Sequence, residues 1–350
     1  MCVRNAALFV AQAVESILGQ TLRELELVVV DDASSDRSPD ILASFARRDS
    51  RIRVLRSSAP LGVAAALNLA CDEAHGPLVA RLDGDDVAVP DRLERQATYL
   101  AAHERVAVVG GAAVVIDETG KSHHLLRPPT DDATIRVELV RQNCMVHPTV
   151  MLRRAALRSA GGYRARFVGA EDYDLWLRLA ERHQLANLPD VLVRYRVHPE
   201  QVSHHDLEIR ALAVLAAQAL ARRRRAGRDE TPSDERPISR ADLAELDVSE
   251  DAVERGIAQA CLDRALLLDD IDRPALAFAA LARTPGFAAS SAVRRRTVAR
   301  YHAALARRRW RRAQRARSLA SALRALRARP ALLGRVASRL IRRDRPSPGP

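Results

Sequence analysis

Leu78-Val79-Ala80-Arg81-Leu82-Asp83-Gly84-Asp85-Asp86 begins as a short apolar run and ends in three carboxylates within four positions. The run has the length of a buried strand. Carboxylates this close repel, and they raise one another's pKa unless a cation or hydrogen-bond donors neutralise them. Asp-x-Asp with a glycine between lets two carboxylates turn toward one divalent ion, and hard oxygen ligands suit Mg²⁺ or Mn²⁺. A solvated turn with a helix-capping Asp is the plainer reading of the same residues.

A second strand end supports the first. Leu25-Glu26-Leu27-Val28-Val29-Val30 runs into Asp31-Asp32 and then Ala33-Ser34-Ser35-Asp36, the pattern of a buried parallel strand, a polar loop and a helix start. Around these two runs, strands alternate with helices. Residues 6–20 form an amphipathic helix with Val10, Ala13, Val14, Ile17 and Leu18 on one face. A helix is expected over 38–48, a strand over 52–55, and a helix from Gly62 to Ala74 that stops at Gly76. Such alternation predicts an α/β fold, a mostly parallel sheet with helices on both faces. In open α/β sheets ligands bind at the carboxyl ends of the strands, where both acidic clusters lie. No GxGxxG or GxxxxGK[ST] is present, so phosphates would be held through a metal and not by a glycine loop.

Further along, a helix is expected over 90–103 and a strand over 106–116. A turn at Asp117-Glu118-Thr119-Gly120 leads into a polar loop to about Thr130, and a short helix covers 131–141. Met145 to Leu152 reads as extended, Gly161-Gly162-Tyr163 as a turn. Glu171-Asp172-Tyr173-Asp174 opens a helix whose Leu175, Trp176, Leu179 and Ala180 have core spacing, and Leu188 to Val197 closes the region as a strand before His198. Carboxylates in a first helical turn have a structural explanation in the helix dipole. Trp176 reads as packing, and His123-His124 and His204-His205 as solvated.

The net charge of +12 averages two unlike regions. Residues 291–350 hold nineteen arginines and one acid, Asp344, a local +18 that leaves −6 for the rest. Helices are expected over 206–225, near 241–243, from Ala252 to Leu268 with Leu266, Leu267 and Leu268 as core, and from Pro274 to Ala282. Residues 226–240 have linker composition. In the basic tail, Leu319, Leu323 and Leu326 make a brief apolar stripe that Pro330 ends, and Trp310 is its lone tryptophan. Such a tail can lie on an anionic membrane surface or be a solvated Arg/Ala helix; no nucleic-acid motif accompanies it. No window reaches the roughly 18 apolar residues of a membrane span. The N-terminus has no signal-peptide pattern, and Cys2, Cys71, Cys144 and Cys261 lack metal or disulfide spacing. The expectation is a cytoplasmic protein, able to sit peripherally on the inner face of the membrane.

Taken in order, Val30 to Asp36, Arg81 to Asp86, Pro90-Asp91-Arg92-Leu93, Glu171 to Leu177 and Tyr195-Arg196-Val197-His198 resemble family 2 glycosyltransferases of the GT-A fold. The resemblance covers roughly residues 1–205, which would be the GT-A domain, followed by a helix and linker over 206–240 and a helical, Arg-rich region over 241–350. It implies inversion at a sugar anomeric carbon, a nucleotide-sugar donor, and Mn²⁺ or Mg²⁺. Asp32 would contact the base and Asp83 the ribose. Asp85 would be the metal ligand that bridges to the diphosphate, Asp86 its support, and His198 a further ligand or diphosphate contact. Asp172 would be the general base, and His147 would line the acceptor side. The acceptor would be a glycan or a lipid-linked glycan of the cell envelope.

Three departures qualify the resemblance. The family's first strand, before a segment like Met1 to Asn5, is almost wholly absent, which suggests a start set too late. Arg4 stands where many relatives have an aromatic residue near the base; a guanidinium can also stack there. The Gln-x-x-Arg-Trp signature of processive relatives is missing after Asp172, which favours transfer of a single sugar. An inactive nucleotide-sugar-binding module, or an adaptor acting through the basic tail, remain alternative readings.

Overall fold

The computed structural model describes residues 1–198, 201, 206–228, 236–270, 297–305, 321, 323 and 324. The chain divides into two compact units, Met1–Ser203 with Leu212–Asp247, and His204–Ala211 with Val248–Pro350.

In the first unit, β1 (Cys2–Val3), β2 (Leu27–Asp31) and β3 (Ile52–Arg56) form a parallel sheet in that order. β2 explains its own continuous apolar sequence. Leu27 and Val29 face Val10, Ala13, Val14 and Ile17 of α1 (Val10–Leu18) and Leu42 of α2 (Ser38–Ala46). Val28 and Val30 face Ala66 and Ala70 of α3 (Val63–Glu73) on the opposite side. A strand covered on both faces needs apolar residues at every position, unlike a half-exposed one. The stretch before Arg4, expected to have lost most of its strand, pairs Cys2 with Val30 and Val3 with Asp31. Asp32 N–H donates to Val3 O at 2.8 Å.

The remaining strands are β4 (Leu78–Ala80), β5 (Val87–Ala88), β6 (Val106–Ile116), β7 (Ser122–Leu126), β8 (Met151–Arg153) and β9 (Gln184–Arg196). They form a second sheet in the order β4-β8-β6-β9-β5, with β7 also on β6. Here the expectation of a mostly parallel sheet is corrected. β6 and β9 run parallel, but β4–β8, β5–β9, β6–β7 and β6–β8 are antiparallel. The alternation of apolar runs with helices carries no direction by itself. The segment read as a loop to Thr130 folds back as β7, because the Asp117 carboxylate accepts from the Thr119 and Lys121 amides and closes a hairpin.

α4 (Arg92–Ala102), α5 (Asp132–Leu139) and α7 (Glu171–Arg182) cover this sheet, Trp176 being fully buried as core spacing predicts. The extended reading of 145–152 is interrupted by a single 3₁₀ turn, His147–Thr149, before β8, and α6 (Arg154–Ser159) follows. Three more helices are α8 (Leu207–Arg225), α9 (Arg240–Glu245) and α10 (Glu250–Asp270). Leu268 is buried as expected, Leu266 and Leu267 half so. The expected helix over 274–282, the residues Leu319, Leu326, Trp310 and Pro330, and His204-His205 lie outside the described residues; Leu323 is exposed. No helix among the described residues is long and apolar enough to cross a membrane.

Candidate active site

β4 ends at Ala80, and the chain turns through Asp83-Gly84-Asp85-Asp86 with Asp86 N–H donating to Asp83 O at 3.3 Å. Gly84 lies against the first sheet. A Cβ there would stand 3.0 Å from Val3 Cγ2 and 3.7 Å from Cys2 O, so a side chain at position 84 would crowd the approach of β1 to the turn. The turn thus sits beside β1 and β2, which brings both acidic strand ends to one edge.

Ligand atoms of Asp83, Asp85 and Asp86 all lie within 4.8 Å of one another. Each carboxylate has its own environment. Asp83 forms a two-oxygen ion pair with the buried Arg81. Asp85 Oδ2 lies 3.0 Å from His198 Nε2 and 3.4 Å from Gln201 Nε2. Asp86 is fully buried; its Oδ1 accepts from Arg196 N–H at 2.7 Å, whereas Oδ2 has no hydrogen-bond partner among the described residues. Burial, then the charges of Asp85 and Asp83, push the Asp86 carboxyl well above the usual range. Repelling oxygens, one of them buried and unpaired, fit a hard divalent cation, which would relieve both conditions. Arg196 ties the turn to the rest of the site. It donates to Asp85 O, Asp117 O and Gln12 Oε1, and stands 4.6 Å over the Phe9 ring, which also lies 4.9 Å from the His198 ring.

At the end of β2, Asp32 accepts Leu61 N–H at 2.5 Å and Gly62 N–H at 3.2 Å. Both oxygens therefore brace the loop that opens α3, with lone pairs to spare. Asp31 is wholly buried, its Oδ1 accepting from Ser34 N–H and its Oδ2 3.4 Å from Arg56 Nε. Asn5 N–H donates to Ser34 Oγ, Ala6 N–H to Ser38 Oγ and Ala7 N–H to Asp36, so the segment after β1 is held on this loop. Arg4 within that segment is exposed.

A second acidic group stands at the start of α7. Asp172 Oδ1 accepts Tyr173 N–H at 2.7 Å and Oδ2 accepts Asn143 Nδ2 at 2.7 Å. His147 Nδ1 lies 4.0 Å from the same Oδ2, and His147 Nε2 lies 3.1 Å from Tyr163 Oη. Burial, then Arg81, holds the imidazole well below its ordinary pKa and so favours its neutral form. Burial, then Asp172, pushes Glu171 up to about 7. Arg81 links the halves: its charge acts on Asp83 and Asp86 and also on His147, Tyr163 and Glu171.

Asp83, Asp85, Asp86 and His198, singled out in the sequence, therefore converge. Asp172 and His147 converge separately, and Asp32 braces a loop. Sequence reasoning did not single out Arg81, Arg196, Glu171, Asn143 or Tyr163. Of these, Arg81, Arg196 and Glu171 flank residues it did choose, but nothing local distinguishes Asn143 or Tyr163.

Comparison with known proteins gives the family. Residues 1–161 match the model of glycosyl transferase family 2. The putative glycosyltransferase EpsE of Bacillus subtilis is 35% identical over 200 residues, 56% of this chain and 71% of that protein. The chain belongs to glycosyltransferase family 2. The amylovoran biosynthesis glycosyltransferase AmsE of Erwinia amylovora is 34% identical to this glycosyltransferase, covering 55% of the chain and 72% of AmsE. The O-antigen biosynthesis glycosyltransferase WbnJ of Escherichia coli is 30% identical, over 57% and 78%. Among solved structures, the mannosyltransferase PcManGT of Pyrobaculum calidifontis, in complex with GDP-Man and Mn²⁺, superposes with a TM-score of 0.52. At 21% identity it covers 93% of this chain and 84% of its own. The likeness identifies the fold as GT-A, the α/β class expected from the sequence.

Proposed function

We propose that this glycosyltransferase moves one sugar, with inversion, from a nucleoside-diphosphate sugar to a hydroxyl of a cell-surface polysaccharide intermediate, and that it requires Mn²⁺ or Mg²⁺. The observation that carries the reading is the pairing of two groups of carboxylates through Arg81. One is a set of three oxygen ligands beside β1, where Arg81 pairs with Asp83; the other is Glu171 with its neighbour Asp172 at the start of α7, where the charge of Arg81 acts on Glu171. AmsE and WbnJ, named for amylovoran and O-antigen biosynthesis, support the polysaccharide acceptor. PcManGT, solved with GDP-Man and Mn²⁺, supports the donor class and the metal.

Asp85 and His198 would hold the ion, with Asp86 behind them; when bound, it supplies positive charge to the leaving diphosphate. The chain's own residues do the rest. Asp83, Asp32 and Arg4 would bind the nucleoside, Asp32 through the lone pairs its loop leaves free. Asp172 takes the proton from the acceptor hydroxyl as that oxygen forms its bond to the anomeric carbon. The bond from that carbon to the diphosphate oxygen breaks, and the nucleoside diphosphate leaves with the electron pair. One displacement with no covalent sugar–enzyme species inverts the centre and needs only one base.

The test is calorimetry of UDP-glucose, UDP-galactose, UDP-N-acetylglucosamine and GDP-mannose with and without Mn²⁺, on the native chain and on Asp85→Ala and Asp172→Asn. Binding of one donor is expected to depend on Mn²⁺ and on Asp85. Asp172→Asn should bind that donor normally and fail to transfer. Metal-independent binding unchanged by Asp85→Ala would refute the metal role, and turnover by Asp172→Asn would refute the base.

A further inference from the structure

We propose that His147 is a positioning residue for Asp172, held by Tyr163 in the tautomer whose Nδ1–H faces the Asp172 carboxylate. The inference rests on the reading of Asp172 as the base and adds what keeps that base ionised and aimed.

Tyr163 is buried, and burial, then Cys71, raises its pKa well above the ordinary value, so its hydroxyl keeps its proton. His147 Nε2 is 3.1 Å from that hydroxyl. A neutral imidazole has one donor and one acceptor nitrogen. If Tyr163 donates, Nε2 is the acceptor and the hydrogen must be on Nδ1, the nitrogen 4.0 Å from Asp172 Oδ2. At that distance the pair is an electrostatic contact and not a hydrogen bond, but its sign favours the carboxylate.

Tyr163 is itself fixed. Its N–H donates to Asn68 Oδ1 at 2.9 Å and its carbonyl accepts from Asn68 Nδ2 at 2.8 Å. The His147 ring meets Trp176 edge-on at 5.8 Å between centroids. On the other side of the chain of contacts, Asn143 donates to Asp172 Oδ2 at 2.7 Å while its own Oδ1 accepts Met145 N–H at 3.1 Å. Asn143 and His147 thus come from one short segment and address one oxygen. Oδ1 is held by Tyr173 N–H at the first turn of α7. Donors on both oxygens favour the ionised form of a general base. Titratable groups bearing on this pair include Glu171, whose charge opposes ionisation of Asp172, Tyr163, and Arg81, whose charge adds to burial in holding His147 below its ordinary pKa.

Two measurements on the full chain test the inference. In long-range ¹H–¹⁵N spectra of histidine-labelled protein at pH 7.5, with the His147 signals identified by their loss in His147→Asn, Nδ1 should carry the hydrogen. Tyr163→Phe should mix the tautomers. A hydrogen on Nε2, or an imidazolium, overturns the proposal irrespective of activity. The second measurement is release of nucleoside diphosphate from the donor selected by calorimetry, with water as acceptor. An Asn amide nitrogen stands near the position of Nδ1, a Gln amide nitrogen near that of Nε2. His147→Asn should therefore retain kcat within a few-fold of the native chain, whereas His147→Gln should fall roughly tenfold below His147→Asn, about 1.4 kcal/mol. In His147→Gln the acid limb of the kcat profile should also move up by about a pH unit, with the KM for donor unchanged. Equal kcat and equal acid limbs in the two variants overturn the proposal. If Asp172→Asn is inactive while His147→Gln is normal, only the positioning role fails; if Asp172→Asn turns over, the base reading fails.

Discussion

Gly161 and Gly162 form a matched pair in which neighbours restrict only one position. Both have left-handed backbone, φ +77° and +69°. A Cβ at Gly161 would meet nothing within 4 Å, but at Gly162 it would lie 2.7 Å from Asn68 Oδ1 and 3.3 Å from Asn68 Cγ. Asn68 cannot step aside without breaking its two hydrogen bonds to the Tyr163 backbone. Gly161→Ala therefore incurs only the left-handed backbone, about 1–2 kcal/mol. Gly162→Ala adds the loss of two hydrogen bonds at roughly 0.5–1.5 kcal/mol each. The change in unfolded-chain entropy is common to both variants and cancels. The extra loss, about 1–3 kcal/mol, should appear as a Tm for Gly162→Ala some 2–12 °C below that of Gly161→Ala, at roughly 2–4 °C per kcal/mol. Thermal unfolding followed by circular dichroism measures the gap, and urea titration should show lower midpoints at constant slope. Equal midpoints for the two variants would refute the argument that Asn68 is locked.

Glu171, pushed up to about 7, binds its proton more tightly folded than unfolded, so its contribution to stability is full below about pH 4.5 and is lost as pH rises through 7. Glu171→Gln should match the native chain in urea at pH 4.5 and gain on it by roughly 1–3 kcal/mol at pH 8; parallel pH profiles would disprove the shift. Mn²⁺ at about 100 times its Kd should stabilise the folded chain by roughly 2.7 kcal/mol, visible as a rise in Tm that EDTA reverses. Asp85→Ala should abolish that rise, and a rise that survives the substitution would place the ion elsewhere.

In the first sheet β2 and β3 were legible as self-contained signals, whereas the two-residue β1 was not. Val28, Val29 and Val30 need cover on both faces, and the helices on either side supply it at the spacing their sequences announce. The second sheet was legible in element positions but not in direction, since Met151–Arg153 reads the same run either way. Ser122–Leu126 was missed because its polar residues carry no alternation, and a strand of this kind is defined by its partner, β6. The acidic turn announced itself by breaking the usual preference against clustered like charges. Asn143, Tyr163 and Asn68 did not, because a polar residue becomes a positioning group only when a distant segment folds against it. Asn68 and Tyr163 lie 95 residues apart in the chain.

What allows three carboxylates to gather at the end of β4 is a matching set of buried cations. Arg81 pairs with Asp83, Arg196 binds the backbone of the turn, and Arg92 lies beneath it. Arg92 is the unusual member. It is fully buried, its Nε donates to Gln96 Oε1 at 2.9 Å, and Nη2 donates to Arg81 O at 2.7 Å and Val150 O at 3.2 Å. Burial, then Arg81, pushes its pKa down to about 9, while Asp86 opposes the shift. An interior cation is retained at such cost only where it answers a charge nearby or satisfies groups nothing else reaches; Arg92 does both. In Arg92→Met, Val150 O still accepts Arg81 N–H at 3.0 Å, but the Arg81 carbonyl and Gln96 Oε1 lose this donor. At roughly 1–3 kcal/mol for each buried acceptor left unpaired, the loss is about 2–6 kcal/mol. Relief from desolvating the guanidinium works in the opposite direction, which favours the lower half of that range. Because the Arg81 carbonyl is two residues from Asp83, Arg92→Met should also weaken Mn²⁺-dependent donor binding, and Arg92→Lys, which keeps the charge but not the fork of donors, should restore it only in part. Donor binding untouched in Arg92→Met would mean that the turn holds its shape without the cation beneath it.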